Sequence, residues 1–484
     1  MNSSTLSFLI IILTIFLNSC HIKNDEIDKK NRDVECASEL LVGFAKVNIT
    51  PSASMRLCGT FEERLALGVH DSLFVRAFIF EQGNTKFVIA GCDLAMVFPE
   101  VCDSVRNRVS ILGLPPDHVL VHASETHNGP DYFGEFRDVF HERAIKQYGN
   151  DPAESIDYSA FLIEKISDAI HSANENMKSA AIYFSFGECR GIAFNRRFRM
   201  KDGSVGWNPG KLNPLIVEPL GPVDESLPVL TIYRNGESNP SALLTGYGMH
   251  LAILEDAYYG ADYPYYLAQK LQSTISPDLF THFLQAPCCE VNHINVKSSE
   301  PQSGHHWAQV VGEKLAGSMV KILENQGPPL LPDLKIASRV VPLELQEFSD
   351  EEIEKQRKIW HSQERSEMHF LEVVHAGKVT GIYDRHMRGP VHSRIQAFQI
   401  DPETVLLGLP SEVSVEFGLK IQEESPYENT MIVQLSNDWL GYIPPKHIFE
   451  EGHYEAVVAK IKPGEGEKLV DMSLELLENL KKAE

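Results

Sequence analysis

The sequence has no Cys-x-x-Cys pair, no internal repeat and no low-complexity tract. Beyond its first nineteen residues it has no apolar run long enough to cross a bilayer. Without paired cysteines, a zinc–thiolate site of the usual spacing is excluded. The eight cysteines (Cys20, Cys36, Cys58, Cys92, Cys102, Cys189, Cys288 and Cys289) follow no regular spacing. With Cys20 set aside an odd number remains, which argues against a disulfide framework. Positive charge is also scarce: 44 Lys and Arg stand against 67 Asp and Glu, a formal charge of −23. That balance excludes nucleic acid and an anionic membrane surface as partners of the body. Apolar residues are plentiful, at 43% of 484 residues, enough for two or three domains or one large one.

The one apolar run of note is terminal. FLIIILTIFL, residues 8–17, ends at Asn18-Ser19-Cys20. A short apolar segment closed by such a cysteine reads as a bacterial signal peptide (1–19) with lipid attached at Cys20; an ordinary cleaved signal is the alternative. HIKNDEIDKKNRDVE then follows with little apolar content, so residues 20–38 read as a disordered tether. The expected location is outside the cytoplasm, as an outer-membrane lipoprotein of a Gram-negative cell.

From residue 39 the pattern alternates. LLVGFAKVN reads as a strand, and FVRAFIFEQGNTKFVIAGC as two strands around a Gly83-Asn84 turn. Residues 97–113 and 155–178 carry helical spacing. HVLVHAS, AIYFSFGEC, SALLTGYGMH and DLFTHFLQ read as strands, and SGHHWAQVVGEKLAGSMVKILENQ as a helix. The alternation predicts an α/β fold, a mixed β-sheet body with flanking helices. After Gly327-Pro328-Pro329 come LKIASRVVPLEL, a helix opened by the capping pattern Ser349-Asp350-Glu351-Glu352, a strand pair in IQAFQIDPETVLLGLPSE, and MIVQLSNDWLGYIPP. The expected organisation is a main lobe, 39–329, and a C-terminal lobe, 330–484, completing one site.

Residues 122–131, HASETHNGPD, set Glu125 and His127 two apart where an apolar strand meets a Gly-Pro turn. On a strand, such residues share a face. His250 ends another strand, Glu412 follows VLLGLP, and Tyr442 lies in LSNDWLGY. Each alone is weak: a strand-end His is more often a satisfied hydrogen bonder, a Glu after Leu-Pro-Ser a helix-start charge, and a Tyr after Gly a core residue.

Together they support a resemblance. VGFAKVNITP, GVHDSL, ETHNGP, GMH…GADYPYYLAQKL, LLGLPSEVSVEFG and LSNDWLGYIPP, with GHYE downstream, resemble in order and spacing the N-terminal catalytic domain of the neutral, non-lysosomal ceramidase family. The resemblance implies a ceramidase-like catalytic domain, without the family's C-terminal immunoglobulin-like domain, and a single zinc ion. Carried across, the metal ligands are His250, Glu412 and Tyr442. The family's first motif is His-Thr-His-Ser-Gly-Pro; here Glu125 stands at its first histidine and His127 at its second, and the resemblance leaves both as candidates for the remaining ligand. More oxygen ligands shift the preference toward Mn²⁺ or another divalent ion. The family's nucleophilic serine lies in Gly-Asp-Val-Ser-Pro-Asn. The matching stretch here is Cys289-Glu290-Val291-Asn292-His293-Ile294-Asn295, and Asn292 holds the serine's place.

An amide is no nucleophile. The expectation is therefore a metal-dependent hydrolase that attacks an amide or related bond with a metal-activated water. His127, His293 and Tyr442 serve as candidate acid–base groups, with Asn292 at the catalytic position. A thiol of Cys288 or Cys289 is the less favoured nucleophile. Asn195, Arg196 and Arg197 are candidate binders of an anionic group, or else a solvated turn. His70 and Asp71 resemble a position near the family's cleft. Asp262 is expected to orient His250, and Glu290 to support the site. His305 and His306 read as surface. The substrate is a small molecule, a lipid or an oligosaccharide. Two rivals stay open: a glycoside hydrolase or polysaccharide lyase acting on an acidic sugar, and a non-catalytic binding lipoprotein.

Overall fold

Alternating β-branched and aromatic residues build a mixed eight-stranded sheet. Its strands are β1 (Leu40–Asn48), β2 (Phe74–Gln82), β3 (Thr85–Cys92), β4 (Val119–Ala123), β5 (Lys178–Glu188), β6 (Ser226–Arg234), β7 (Ala242–Tyr247) and β8 (Phe280–Gln285). Their spatial order is β8-β7-β6-β5-β1-β2-β3-β4. This is a computed structural model that describes residues 39–385 and 389–483; the expected signal peptide, Cys20 lipidation and tether fall outside the described residues.

The inner strands pair antiparallel, and the outer pairs β3/β4 and β7/β8 are parallel. The β2–β3 hairpin turns at Gly83-Asn84, and Gly83 (φ 60°) supplies the left-handed conformation that the tight turn needs. A second sheet runs β9 (Lys335–Leu343), β10 (Val391–Asp401), β11 (Thr404–Gly408) and β12 (Asn429–Val433), with β11/β12 parallel.

One face of the large sheet meets the small one. Phe44, Phe78, Phe80, Phe87, Leu230 and Leu244 pack with Phe398, Leu406 and Met431 in one buried cluster. Helices Pro99–Val109 and Tyr158–Glu175 cover strands β1–β4, and helices Tyr263–Thr274 and Gly304–Leu323 cover β6–β8. The Tyr158–Glu175 helix lies directly on β1, where a Cβ at Gly43 would come 2.0 Å from the Ala173 carbonyl oxygen. Helix Glu465–Lys482 packs on the outside of the small sheet. The layers are thus helix, sheet, sheet, helix.

The large sheet curls until its outermost strands meet. His122 on β4 and His282 on β8 approach with their Nε2 atoms 2.9 Å apart, both fully buried. A Cβ at Gly91 would strike both rings at 2.3 Å, so glycine makes room for the pair. Burial holds both histidines neutral, pushing His122 down to about 4 and His282 well below its usual value. The unfolded chain takes up protons at these rings below roughly pH 6.5, whereas the folded pair does not until the pH is much lower. Stability is therefore full above that pH and falls as the medium is acidified. His122 alone accounts for about 3 kcal/mol of the loss. Urea midpoints measured from neutral pH down to about pH 4 should fall steeply, and less steeply in His122→Gln; a midpoint indifferent to pH contradicts this reading.

Three parallel pairs direct chain toward one place. β4, β7, β8, β11 and β12 all feed, from their carboxyl ends, the loops that carry the candidate site residues. The carboxyl end of parallel strands is where α/β sheets open a crevice.

Candidate functional site

β4 ends at Ala123, so Glu125 and His127 do not sit on a strand as alternation would have them. Glu125 instead takes a left-handed backbone (φ 78°), a conformation that costs a non-glycine residue about 1 kcal/mol or more. The loop is fixed on both sides. The Glu125 amide donates to the Leu94 carbonyl at 2.9 Å, the His127 amide donates to Leu251 at 3.1 Å, and the Thr126 hydroxyl donates to Gly260 at 2.6 Å. Ser411, just before Glu412, is also left-handed (φ 64°). Glu412 and Tyr442 are Cα partners in a short parallel bridge, which sets them side by side.

His250 stands at the centre. Its Nδ1 lies 3.1 Å from the Val291 carbonyl oxygen, which can only accept. Nδ1 therefore carries the proton and Nε2 presents a lone pair. Around that Nε2 lie Tyr442 Oη at 3.1 Å, Glu125 Oε1 at 3.2 Å, Glu412 Oε2 at 3.4 Å and Arg196 Nη1 at 3.4 Å. Glu125 Oε1 is buried with no hydrogen-bond partner, while Oε2 accepts from Gln285 Nε2 at 2.7 Å and from the Cys288 thiol at 3.2 Å. Trp439 Nε1 donates to Glu412 Oε1 at 3.0 Å. Each carboxylate is thus held by one oxygen and offers the other to the cluster.

Burial, then the adjacent Glu412, pushes the Glu125 carboxyl well above the usual range. Burial also opposes ionisation of Glu412, but the His250 ring and the Trp439 indole hold it below that range. Burial and Arg196 push His250 down. Burial, then His250, brings His127 to about 3, so its imidazole is neutral near pH 7.

The donor set fits a divalent ion. One imidazole nitrogen, two carboxylates and a phenol converge, and one carboxylate oxygen lacks a partner. Four ligands at about 2.1 Å from a tetrahedral ion stand roughly 3.4 Å from one another. The distances from His250 Nε2 to the other three, 3.1, 3.2 and 3.4 Å, match that spacing. Cys288 is near Glu125 and His250, but its thiol is 3.5 Å from Nδ1, the opposite side of the ring from the cluster. A second group, His141, Asp151 and Glu154, is engaged by Arg56 and Arg137 instead.

A cavity of about 70 Å³ opens on this cluster, lined among others by Glu125, His127, Glu412, Tyr442, Asp131 and Trp439. Arg196 closes the site below. It donates to Tyr442 Oη at 3.1 Å, to the Cys289 carbonyl at 2.7 Å and to Glu455 at 2.9 Å. Its guanidinium lies over the Tyr442, Tyr454 and Trp207 rings. It is buried, not part of a solvated turn.

Several sequence-derived candidates serve other purposes. Arg197 is buried and pairs with Glu451 and Glu455. Asn195 donates to the Pro222 carbonyl and accepts from the Arg197 amide. Asp71 accepts from the Ala261 amide and pairs with His70, whose ring stacks on His305 at 3.6 Å; neither His70 nor Asp71 lines the cavity. His305 is half-buried and bonded to Asp256, a correction to its surface reading. Asp262 accepts from the amides of Ile253, Leu254 and Tyr263, capping its helix, whereas His250 is oriented by Val291. Glu290 accepts from Ser414 Oγ, and burial lifts it to about 7. Asn292 donates to Asn208 and accepts from the Ile294 amide, outside the cavity lining. His293 is buried beside it with Nδ1 unpartnered, and burial and His250 lower it to about 4. Burial raises the Cys288 and Cys289 thiols well above their usual value, which leaves them un-ionised and poor nucleophiles.

Sequence reasoning missed Gln285, Trp439 and Asp131. Each lay within a stretch already singled out, but only the folded chain shows what its side chain meets.

No family model matches the sequence. Among solved structures, the fold is shared with one described as neutral ceramidase from Pseudomonas aeruginosa, with TM-score 0.72 and 17% identity over 92% of this chain and 75% of that one. A structure described as ceramidase complexed with C2 gives TM-score 0.70 and 17% identity over 92% of this chain and 76% of that one. The chain therefore has a ceramidase-like fold.

Proposed function

We infer that this protein is a divalent-metal-dependent hydrolase that cleaves an amide or related bond by direct attack of water. The observation that carries the reading is the convergence of Glu125, Glu412 and Tyr442 within 3.1–3.4 Å of His250 Nε2, at the wall of a cavity. Zinc suits the spacing and the donors, with manganese the next choice. When bound, such an ion supplies Lewis acidity at the scissile carbonyl and lowers the pKa of water.

The chain's own groups supply the rest. His127 lines the cavity beside the cluster, where its ring is placed to take the proton of the attacking water. Arg196 orients the Tyr442 hydroxyl and spreads positive potential toward the developing oxyanion. Gln285, Cys288 and Trp439 fix the carboxylates, so little reorganisation accompanies the reaction. Asn292, an amide that donates to Asn208, supplies no nucleophile, so water attacks directly.

The carbohydrate reading is less well supported. A cavity lined by Glu125, Asp131 and Glu412 and by no Lys or Arg offers an acidic sugar no cationic side chain. The N-terminal sequence supports export and tethering at Cys20 as the protein's location.

The test is to incubate the zinc-loaded protein with short-chain ceramides, other N-acyl compounds and uronic-acid oligosaccharides. Release of free amine, dependent on metal, is expected. New reducing ends or unsaturated sugar absorbance without amine release contradicts the reading.

A further inference from the structure

Asp131 is 7% exposed and lines the same cavity as Glu125, His127 and Glu412. Its amide donates to the Arg56 carbonyl at 2.8 Å, which fixes the backbone. Among the described residues, no group hydrogen-bonds or ion-pairs with its carboxylate. The Arg56 guanidinium is not available to it. That group is spent on Glu63 at 2.7 Å and on Asp151 at 2.7 and 3.0 Å, and also reaches the Phe140 carbonyl.

Burial, then the nearby Glu135, pushes the Asp131 carboxyl well above the usual range, and a cation set against it would favour its ionised form. A metal ion would draw on Glu125 and Glu412 and leave Asp131 over. The cavity wall holds Phe61 and Phe136, whose ring faces attract a cation, and no Lys or Arg. At about 70 Å³ the space beside the cluster admits a small head group.

We propose that Asp131 binds the protonated amine of a substrate that carries an ammonium group close to its scissile amide. This deepens the hydrolase reading and rests on it for the word substrate, but the binding itself does not require turnover.

The test uses the metal-loaded protein and two probes of equal size, N-acetylethylenediamine, which ends in an ammonium group, and N-acetylethanolamine, which ends in a hydroxyl. Calorimetric titration near pH 7 should show about tenfold tighter binding of the amine. Asp131→Asn should bring the two to within about threefold, and Asp131→Glu should restore part of the preference. Equal affinities in the unaltered protein overturn the proposal. So does a preference that survives Asp131→Asn, or a second metal equivalent that is lost in that variant. If the amine is preferred but no N-acyl compound is ever cleaved, the hydrolase reading fails and the binding site stands.

Discussion

Glu412→Ala is expected to lower affinity for zinc at least about 100-fold and to remove hydrolysis with it. Glu412 contributes Oε2 to the cluster around His250 while Trp439 holds its other oxygen. Alanine removes a ligand and leaves the indole N–H unpaired. The unpaired, buried indole N–H should lower stability by about 1–3 kcal/mol, so the variant's folding is measured alongside its metal affinity. Competitive titration against a zinc indicator reads the affinity. Retained tight binding with lost activity would make Glu412 an acid–base group instead of a ligand.

Lys460→Met is expected to destabilise the protein by about 3–5 kcal/mol, the largest single effect on stability. Lys460 Nζ lies 2.5 Å from Glu135 Oε1, both side chains being nearly fully buried, and sits 4.6 Å above the Trp439 ring. Removing the ammonium strands Glu135 against Gly381, where an added Cβ would come 2.7 Å from its carboxyl carbon. The double variant Lys460→Met, Glu135→Leu should recover much of the loss, because neither charge remains buried. Chemical denaturation of both variants checks this; equal losses in single and double variants contradict it. The pair also buttresses the indole that orients Glu412, so the single variant should weaken metal binding as well.

Much of the fold was legible because burial imposes period. β1, β2 and β3 alternate or run apolar where one or both faces are covered, and the Gly83-Asn84 turn marks its own position. Helix Glu135–Tyr148 was not legible: its apolar residues are few, and it is held by Val139, Phe140 and Glu135 packing against later chain. Helix Phe370–Arg385 is buried nearly all round, so it shows no stripe to recognise.

The candidate site was legible in part. His250, Glu412 and Tyr442 stood out as polar residues at strand ends, and the fold brings them together. Glu125 and His127 reach the same cavity for a different reason from the one their spacing suggested: a left-handed turn after β4 replaces strand alternation. Arg196 and Arg197 looked like an external anion site, but paired basic residues carry no sign of burial until their acidic partners, Glu451 and Glu455, are placed beside them some 250 residues later. Asp131 was invisible as a site residue because being unpaired is a property of the folded neighbourhood alone.

The most direct measurement is the metal content of the purified protein by elemental mass spectrometry, beside a His250→Ala, Glu412→Ala double variant. About one zinc or manganese per chain, absent from the variant, is the predicted result. No stoichiometric metal in either protein, even after divalent ions are offered back, would contradict the metal-centred account.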